Sequence, residues 1–60
     1  MTLDQARDAI GRGVVYAPRF GLREDGVIIR VNNRYVFVRY SGSLHAQATN
    51  PTDLELRGGV

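Results

Sequence analysis

The sequence predicts a small all-β domain of five short strands preceded by a short helix, on three observations. Residues 26–40, Gly-Val-Ile-Ile-Arg-Val-Asn-Asn-Arg-Tyr-Val-Phe-Val-Arg-Tyr, carry two alternating, β-branched runs on either side of Asn32-Asn33. That is a β-hairpin signal, because Asn tolerates the positive φ of a tight two-residue turn. Shorter apolar runs at 14–16, 44–49 and 54–56 stand outside it, separated by turn residues. With 60 residues and no cysteine, the chain has room for one small core, no disulfide staple and no cysteine-based zinc site. A domain of this size is expected to be stable by only a few kcal/mol.

Taken in order, residues 2–10 read as a helix. Thr2 is the expected N-cap, Gln5 completes a capping box, and Asp4 lies in the first turn, where the helix dipole favours it. Leu3, Ala6 and Ile10 make the apolar stripe, and Gly11 or Gly13 ends the helix. So short a helix is not stable alone and must dock on the sheet. Val14-Val15-Tyr16 is the first strand. Ala17 to Gly26 contains Pro18, Gly21 and the turn dipeptide Asp25-Gly26, and reads as a long loop.

A two-residue hairpin turn sets Val31 opposite Arg34, Ile29 opposite Val36 and Val27 opposite Val38. One face then holds Val27, Ile29, Val31, Val36, Val38 and Tyr40, the expected core. The other holds Ile28, Arg30, Tyr35, Phe37 and Arg39. Ser41-Gly42-Ser43 is the next turn and Leu44 to Thr49 the fourth strand. Asn50-Pro51-Thr52-Asp53 reads as one helical turn, with Asn50 as its cap and Pro51 at its first position. Leu54-Glu55-Leu56 is the last strand, its leucines on one face, and residues 57–60 a frayed tail. A long first loop and a one-turn helix before the last of five strands is the order of an SH3-like barrel, with little free edge. The expectation is one domain over residues 1–60, with the barrel at 14–56.

From about Ile10 to Leu56 the chain resembles small proteins of tailed bacteriophages and prophages, especially of actinobacterial hosts. The likeness rests on Ile10-Gly11-Arg12-Gly13-Val14-Val15-Tyr16, Glu24-Asp25-Gly26-Val27-Ile28, Val31 to Tyr40, and Ala48-Thr49-Asn50-Pro51-Thr52-Asp53-Leu54. Those proteins have no assigned activity, so the resemblance implies an origin and no mechanism. More loosely, Gly26-Val27-Ile28 leading into a Val-rich strand is similar to the KOW and Tudor-like branch of SH3-like barrels. That likeness implies binding to RNA, DNA or the machinery of transcription and translation.

The formal charge is +2, and all eight basic residues are arginine. Arginine count alone does not separate GC-rich coding, the plainer account, from selection for bidentate phosphate or carboxylate contacts. No apolar run approaches the roughly 18 residues of a membrane span, and no signal-peptide pattern opens the chain. The expected compartment is the cytoplasm, that of a bacterial host on the phage resemblance.

Two groups of residues are candidates for binding. Arg30, Tyr35, Phe37 and Arg39 interleave arginine with aromatics on one strand pair, a pattern that tracks phosphates and stacks bases. The competing reading makes Phe37 and Ile28 the platform for Leu3, Ala6 and Ile10 of the helix, rimmed by the two arginines. The second group is Arg19, Phe20 and Arg23 of the long loop, with Tyr16 and Tyr40 framing the same groove. Here the competing readings make Phe20 a cap on the open end of the barrel and the tyrosines core residues with surface hydroxyls.

Catalysis finds no support in the residue pattern. Asp4 with Asp8 and Glu24 with Asp25 lie in capping or turn positions that account for them, as do Asp53 and Glu55 in a turn and a short strand. His45 is the only histidine, near Ser41 and Ser43 in a turn that offers no triad geometry. No metal-ligand spacing, nucleophile elbow or phosphate-binding glycine loop is present. The expectation is a binding module and not an enzyme, with no cofactor, no small-molecule substrate and no membrane partner. Its partner is nucleic acid or a host complex that handles it; the alternative is a module docking on a host protein, or a small virion or assembly component. Pairing of copies stays open. Nucleic-acid binding requires arginines gathered on one face, uninterrupted by Glu24, Asp25 and Glu55.

Overall fold

The computed structural model describes residues 1–57. The order of elements is α1 (Leu3–Arg7), β1 (Gly13–Tyr16), β2 (Glu24–Val31), β3 (Val36–Tyr40), β4 (Ala46–Thr49), a 3-10 turn (Pro51–Asp53) and β5 (Leu54–Leu56). The strands form one antiparallel sheet in the order β4-β3-β2-β1-β5.

That order corrects the SH3-like barrel. β4 is paired only with β3 and β5 only with β1, so the sheet has two free edges and is not closed. It is nonetheless strongly curved. Four strand spacings put the outer strands of a flat sheet roughly 19 Å apart. The link from Thr49 to Leu54 runs through the 3-10 turn, which rises only about 2 Å per residue. So short a link draws the sheet's corners together, and the molecule measures 25 × 24 × 22 Å. Leu54 comes to rest beside Tyr16, and Ala17 N–H donates to Asp53 C=O at 2.8 Å. The chain therefore joins β5 to β1 and leaves the outer edge of β4 without a partner strand.

Helix α1 is shorter than the 2–10 reading, although its start is as expected. The Thr2 hydroxyl accepts from Gln5 N–H at 3.1 Å, and Gln5 Oε1 accepts from Thr2 N–H at 2.9 Å. After Arg7 the bonds tighten, with Ala9 N–H donating to Ala6 C=O at 3.0 Å, and Gly11 turns the chain into β1 at φ +87°. This tightening carries Ala9 inward and leaves Ile10 51% exposed, so the stripe is Leu3, Ala6 and Ala9.

The core lies on the concave face, where Val14, Ile28, Val36, Val38, Tyr40 and Leu54 pack with Ala6 and Ala9 of the helix segment. The hairpin register differs from the expected one. Val31 pairs with Val36 across a four-residue loop, and a bulge at Ile29 shifts the ladder so that Arg30 faces Phe37 and Ile28 faces Val38. Ile28 is buried and Ile29 exposed, the reverse of expectation for β2, while β3 keeps Val36, Val38 and Tyr40 inward. A two-residue turn would have set Arg34 on the core face opposite Val31. The longer loop avoids this: Asn32 Oδ1 accepts from Arg34 N–H at 2.8 Å and Tyr35 N–H at 2.6 Å, an Asx turn that needs no positive φ.

The other boundaries shift by a few residues. β2 begins at Glu24, which shortens the long loop to 17–23, and β4 begins at Ala46 rather than Leu44. The 3-10 turn is capped as expected, Asn50 Oδ1 accepting from Thr52 N–H at 3.0 Å. Of the expected tail, Arg57 extends the β1–β5 ladder by donating to Gly13 C=O at 3.1 Å; residues 58–60 lie outside the described residues.

Candidate functional site: the two faces of the sheet

The convex face carries the first candidate group. Arg30 and Phe37 are cross-strand partners, and the guanidinium carbon of Arg30 stands 4.3 Å from the centroid of the Phe37 ring. This is cation–π geometry, worth about 0.5–1 kcal/mol at an exposed site. Arg39 lies on the same face, between Val27 of β2 and Ala46 of β4; Ala48 flanks Phe37. These small and aliphatic neighbours leave the arginines standing above a low floor. Neither Arg30 nor Arg39 is in an ion pair among the described residues.

Phe37 is therefore not the platform for the helix. Alternation places it opposite the core residues Val36 and Val38, and the helix segment docks on the concave face around Ile28. Tyr35, expected on the strand beside Phe37, belongs to the hairpin loop, where it is 43% exposed.

The requirement that no carboxylate interrupt the arginines is met on half of this face. Asp25, Val15 and Glu55 are aligned across β2, β1 and β5, so two carboxylates share the convex side. Each has an arginine partner: Arg57 stands 3.8 Å from Asp25, and Arg23 stands 3.3 Å from Glu55. The half built by β2, β3 and β4 beyond Val27 carries Arg30 and Arg39 without an acid on its strands.

The loop candidates separate. Phe20 is 86% exposed and caps nothing, Arg19 is exposed, and Arg23 is held by Glu55. Tyr16 and Tyr40 do frame a groove, but one that Phe20 does not reach. Their rings meet edge-on, centroids 5.9 Å apart at 66°. They line a polar cleft of about 300 Å³ at the open seam of the sheet, with Glu24 and Asp53 on the same side and residues 47–50 along the other. Tyr40 is a core residue whose hydroxyl shares a 2.7 Å hydrogen bond with Thr49 Oγ1. Either hydroxyl can donate in this bond, and Thr49 Oγ1 also stands 3.3 Å from Gln47 C=O. Burial pushes the Tyr40 phenol above its usual pKa, the Thr49 bond opposes this, and the nearby Tyr16, Glu24 and Asp53 add to it.

Glu24 and Asp53 were assigned to turns on sequence, and their place at the cleft was missed. Glu24 shares a face with Gly26 and Ile28 by alternation, but the run Val27-Ile28-Ile29 does not tell which face of β2 is the inner one. Asp53 had no local signal, because its position depends on how the 3-10 turn crosses the sheet corner. At the turn before β4, Ser43 Oγ donates to His45 C=O at 3.0 Å, which engages the backbone of His45 and not its ring. No group of three or more His, Asp or Glu stands close enough to hold a metal ion among the described residues. No helix among them is long and apolar enough to cross a membrane.

No protein-family model, curated protein or solved structure matches the chain. The resemblance of residues 10–56 to phage proteins thus finds no support among them, and the reading of the site rests on its own residues.

Proposed function

We propose that this chain is a non-enzymatic, cytoplasmic binding module that takes nucleic acid on the convex half-sheet of β2, β3 and β4. One observation carries the reading: Arg30, Phe37 and Arg39 stand together on an exposed sheet face, with no carboxylate partner among the described residues. Two guanidiniums over a floor of Val27, Ala46 and Ala48 offer planar forks to phosphates, and a guanidinium stacked on Phe37 presents its other face to a base. The modest net charge of +2 points to local phosphate tracking in place of a strong sequence-independent field. The test is fluorescence anisotropy with labelled single-stranded DNA, duplex DNA and RNA at about 50 and 200 mM salt. Binding that weakens with salt and in the Arg30→Ala/Arg39→Ala double variant supports the reading; absence of binding at the lower salt sinks it.

A second reading, a protein-interaction module, is favoured by Phe20 and Leu22, which are 86% and 87% exposed on the 17–23 loop. Exposed large apolar side chains on a loop are the ordinary anchors of a protein contact. Loss of partner capture in Phe20→Ser/Leu22→Ser, with nucleic-acid binding unchanged, separates the two.

A further inference from the structure

The open seam of the sheet is the feature that neither reading uses. A cleft lined by the consecutive residues 47–50 must run along the backbone of β4, because alternate side chains of a strand point to opposite faces. β4 has a partner strand only on its β3 side, so the N–H and C=O groups facing the cleft are those a further strand would pair. The strand is Ala-Gln-Ala-Thr, short at four residues but with no charge, proline or bulge to blunt its free edge.

The wall opposite that edge is acidic. Glu24 and Asp53 face the cleft beside Tyr16 and Tyr40, and neither carboxylate is in an ion pair among the described residues. No arginine lines the cleft, in a chain whose eight basic residues otherwise outnumber its six acids. Two free carboxylates and a tyrosine pair beside an unpaired strand edge define the chemistry of what would enter.

We infer that the seam is a strand-addition site for an extended, arginine- or lysine-bearing peptide of a partner protein. The peptide backbone pairs with β4 over Ala46–Thr49, and a basic side chain turns inward toward Glu24, Asp53 and the edge of Tyr16. Main-chain hydrogen bonds supply the register, and the carboxylates supply the selectivity for charge. The two sites share β4, whose Ala46 and Ala48 also floor the arginine face, but Glu24 and Asp53 line the seam and Arg30 and Arg39 do not, so variants at the two carboxylates test the seam and leave the arginines in place.

The test is an amide-resolved NMR titration of the full chain with three end-blocked hexapeptides at millimolar concentration. The first is Ser-Arg-Val-Arg-Val-Ser, the second has glutamate for arginine, and the third is the basic peptide with N-methylated backbone amides. Binding of the first alone, with shifts confined to residues 46–50, 16, 24 and 53 and slowed exchange of β4 amides, is expected. The Glu24→Gln/Asp53→Asn variant is isosteric and should weaken that binding roughly five- to tenfold. Equal binding of the N-methylated or the glutamate peptide overturns the proposal, as do shifts spread over Asp4, Asp8 and Glu55 or no binding at all. Shifts at β4 that appear when the protein alone is concentrated overturn it as well, since the edge would then serve a second copy.

Discussion

Gly26 sits where β2 crosses the core between Val14 and Tyr40. A Cβ there would lie 2.5 Å from Val38 Cγ1 and 3.0 Å from Tyr40 Cδ1, with the Arg39 carbonyl 3.1 Å away. The missing side chain is what lets Val38 and Tyr40 pack directly against the β2 backbone. Gly26→Ala should therefore cost about 1–3 kcal/mol, read as a lower urea midpoint at unchanged slope. Tyr40 itself gives a pH-dependent prediction. Its phenol loses its proton less readily in the folded chain than in the unfolded one, chiefly through burial. The folded state then holds the proton at pH values where the unfolded chain has begun to release it. This contribution is complete below about pH 10, the unfolded value, and is lost as pH rises through the higher folded value. Tyr40→Phe should lower stability by about 1 kcal/mol near neutrality and flatten the fall above pH 10, measured as melting temperature against pH.

At the scale of elements, the hairpin loop is shaped by the side chain of Asn32 and not by that of Asn33, while Arg7 of α1 donates to the Asn32 carbonyl at 3.3 Å. Asn32 Oδ1 receives the N–H groups of Arg34 and Tyr35, and Asn32 N–H donates to Tyr35 C=O at 3.0 Å. The Asn33 side chain makes no hydrogen bond among the described residues. Asn32→Ala should cost about 1–2 kcal/mol, whereas Asn33→Ala should stay within about 0.5 kcal/mol; denaturation of the pair distinguishes this Asx turn from a tight two-residue turn. The same loop explains what was legible in the sequence. The capping box of Thr2 and Gln5 and the cap of Asn50 on its 3-10 turn were readable because they are complete within four residues. The inward alternation of Val36, Val38 and Tyr40 was readable too, and with it the outward pair Phe37 and Arg39. The face of β2 was not, because three aliphatics in a row at 27–29 alternate equally well either way. A bulge and two extra loop residues then decided for Ile28. Closure of the sheet was the least legible feature. It depends on which strand Leu54 lies beside, a contact spanning the sheet, and local pattern does not encode it.

For the molecule as a whole, the unpaired charges of the sheet divide by face. The convex side displays Arg30 and Arg39, its Asp25 and Glu55 being paired with Arg57 and Arg23, and the seam on the concave side displays Glu24 and Asp53. If the convex arginines hold phosphates, their removal must change how affinity responds to salt and not merely its size. Each duplex phosphate neutralised contributes about 0.9 to the slope of log affinity against log salt, and each single-strand phosphate about 0.7. The Arg30→Ala/Arg39→Ala variant should then lose about 1.8 of slope on duplex and about 1.4 on single strands. Between about 50 and 200 mM salt, the gap between native and variant chains narrows roughly tenfold on duplex and somewhat less on single strands. A variant that bound poorly because it was misfolded would lose affinity by the same factor at both salts. Phe37→Leu supplies the converse case, keeping both charges while removing the ring beneath the Arg30 guanidinium. Its affinity should fall about two- to fivefold at every salt concentration, with the slope unchanged. A slope unaltered by the double arginine variant would mean that neither guanidinium meets a phosphate, and the convex face would lose its claim to nucleic acid.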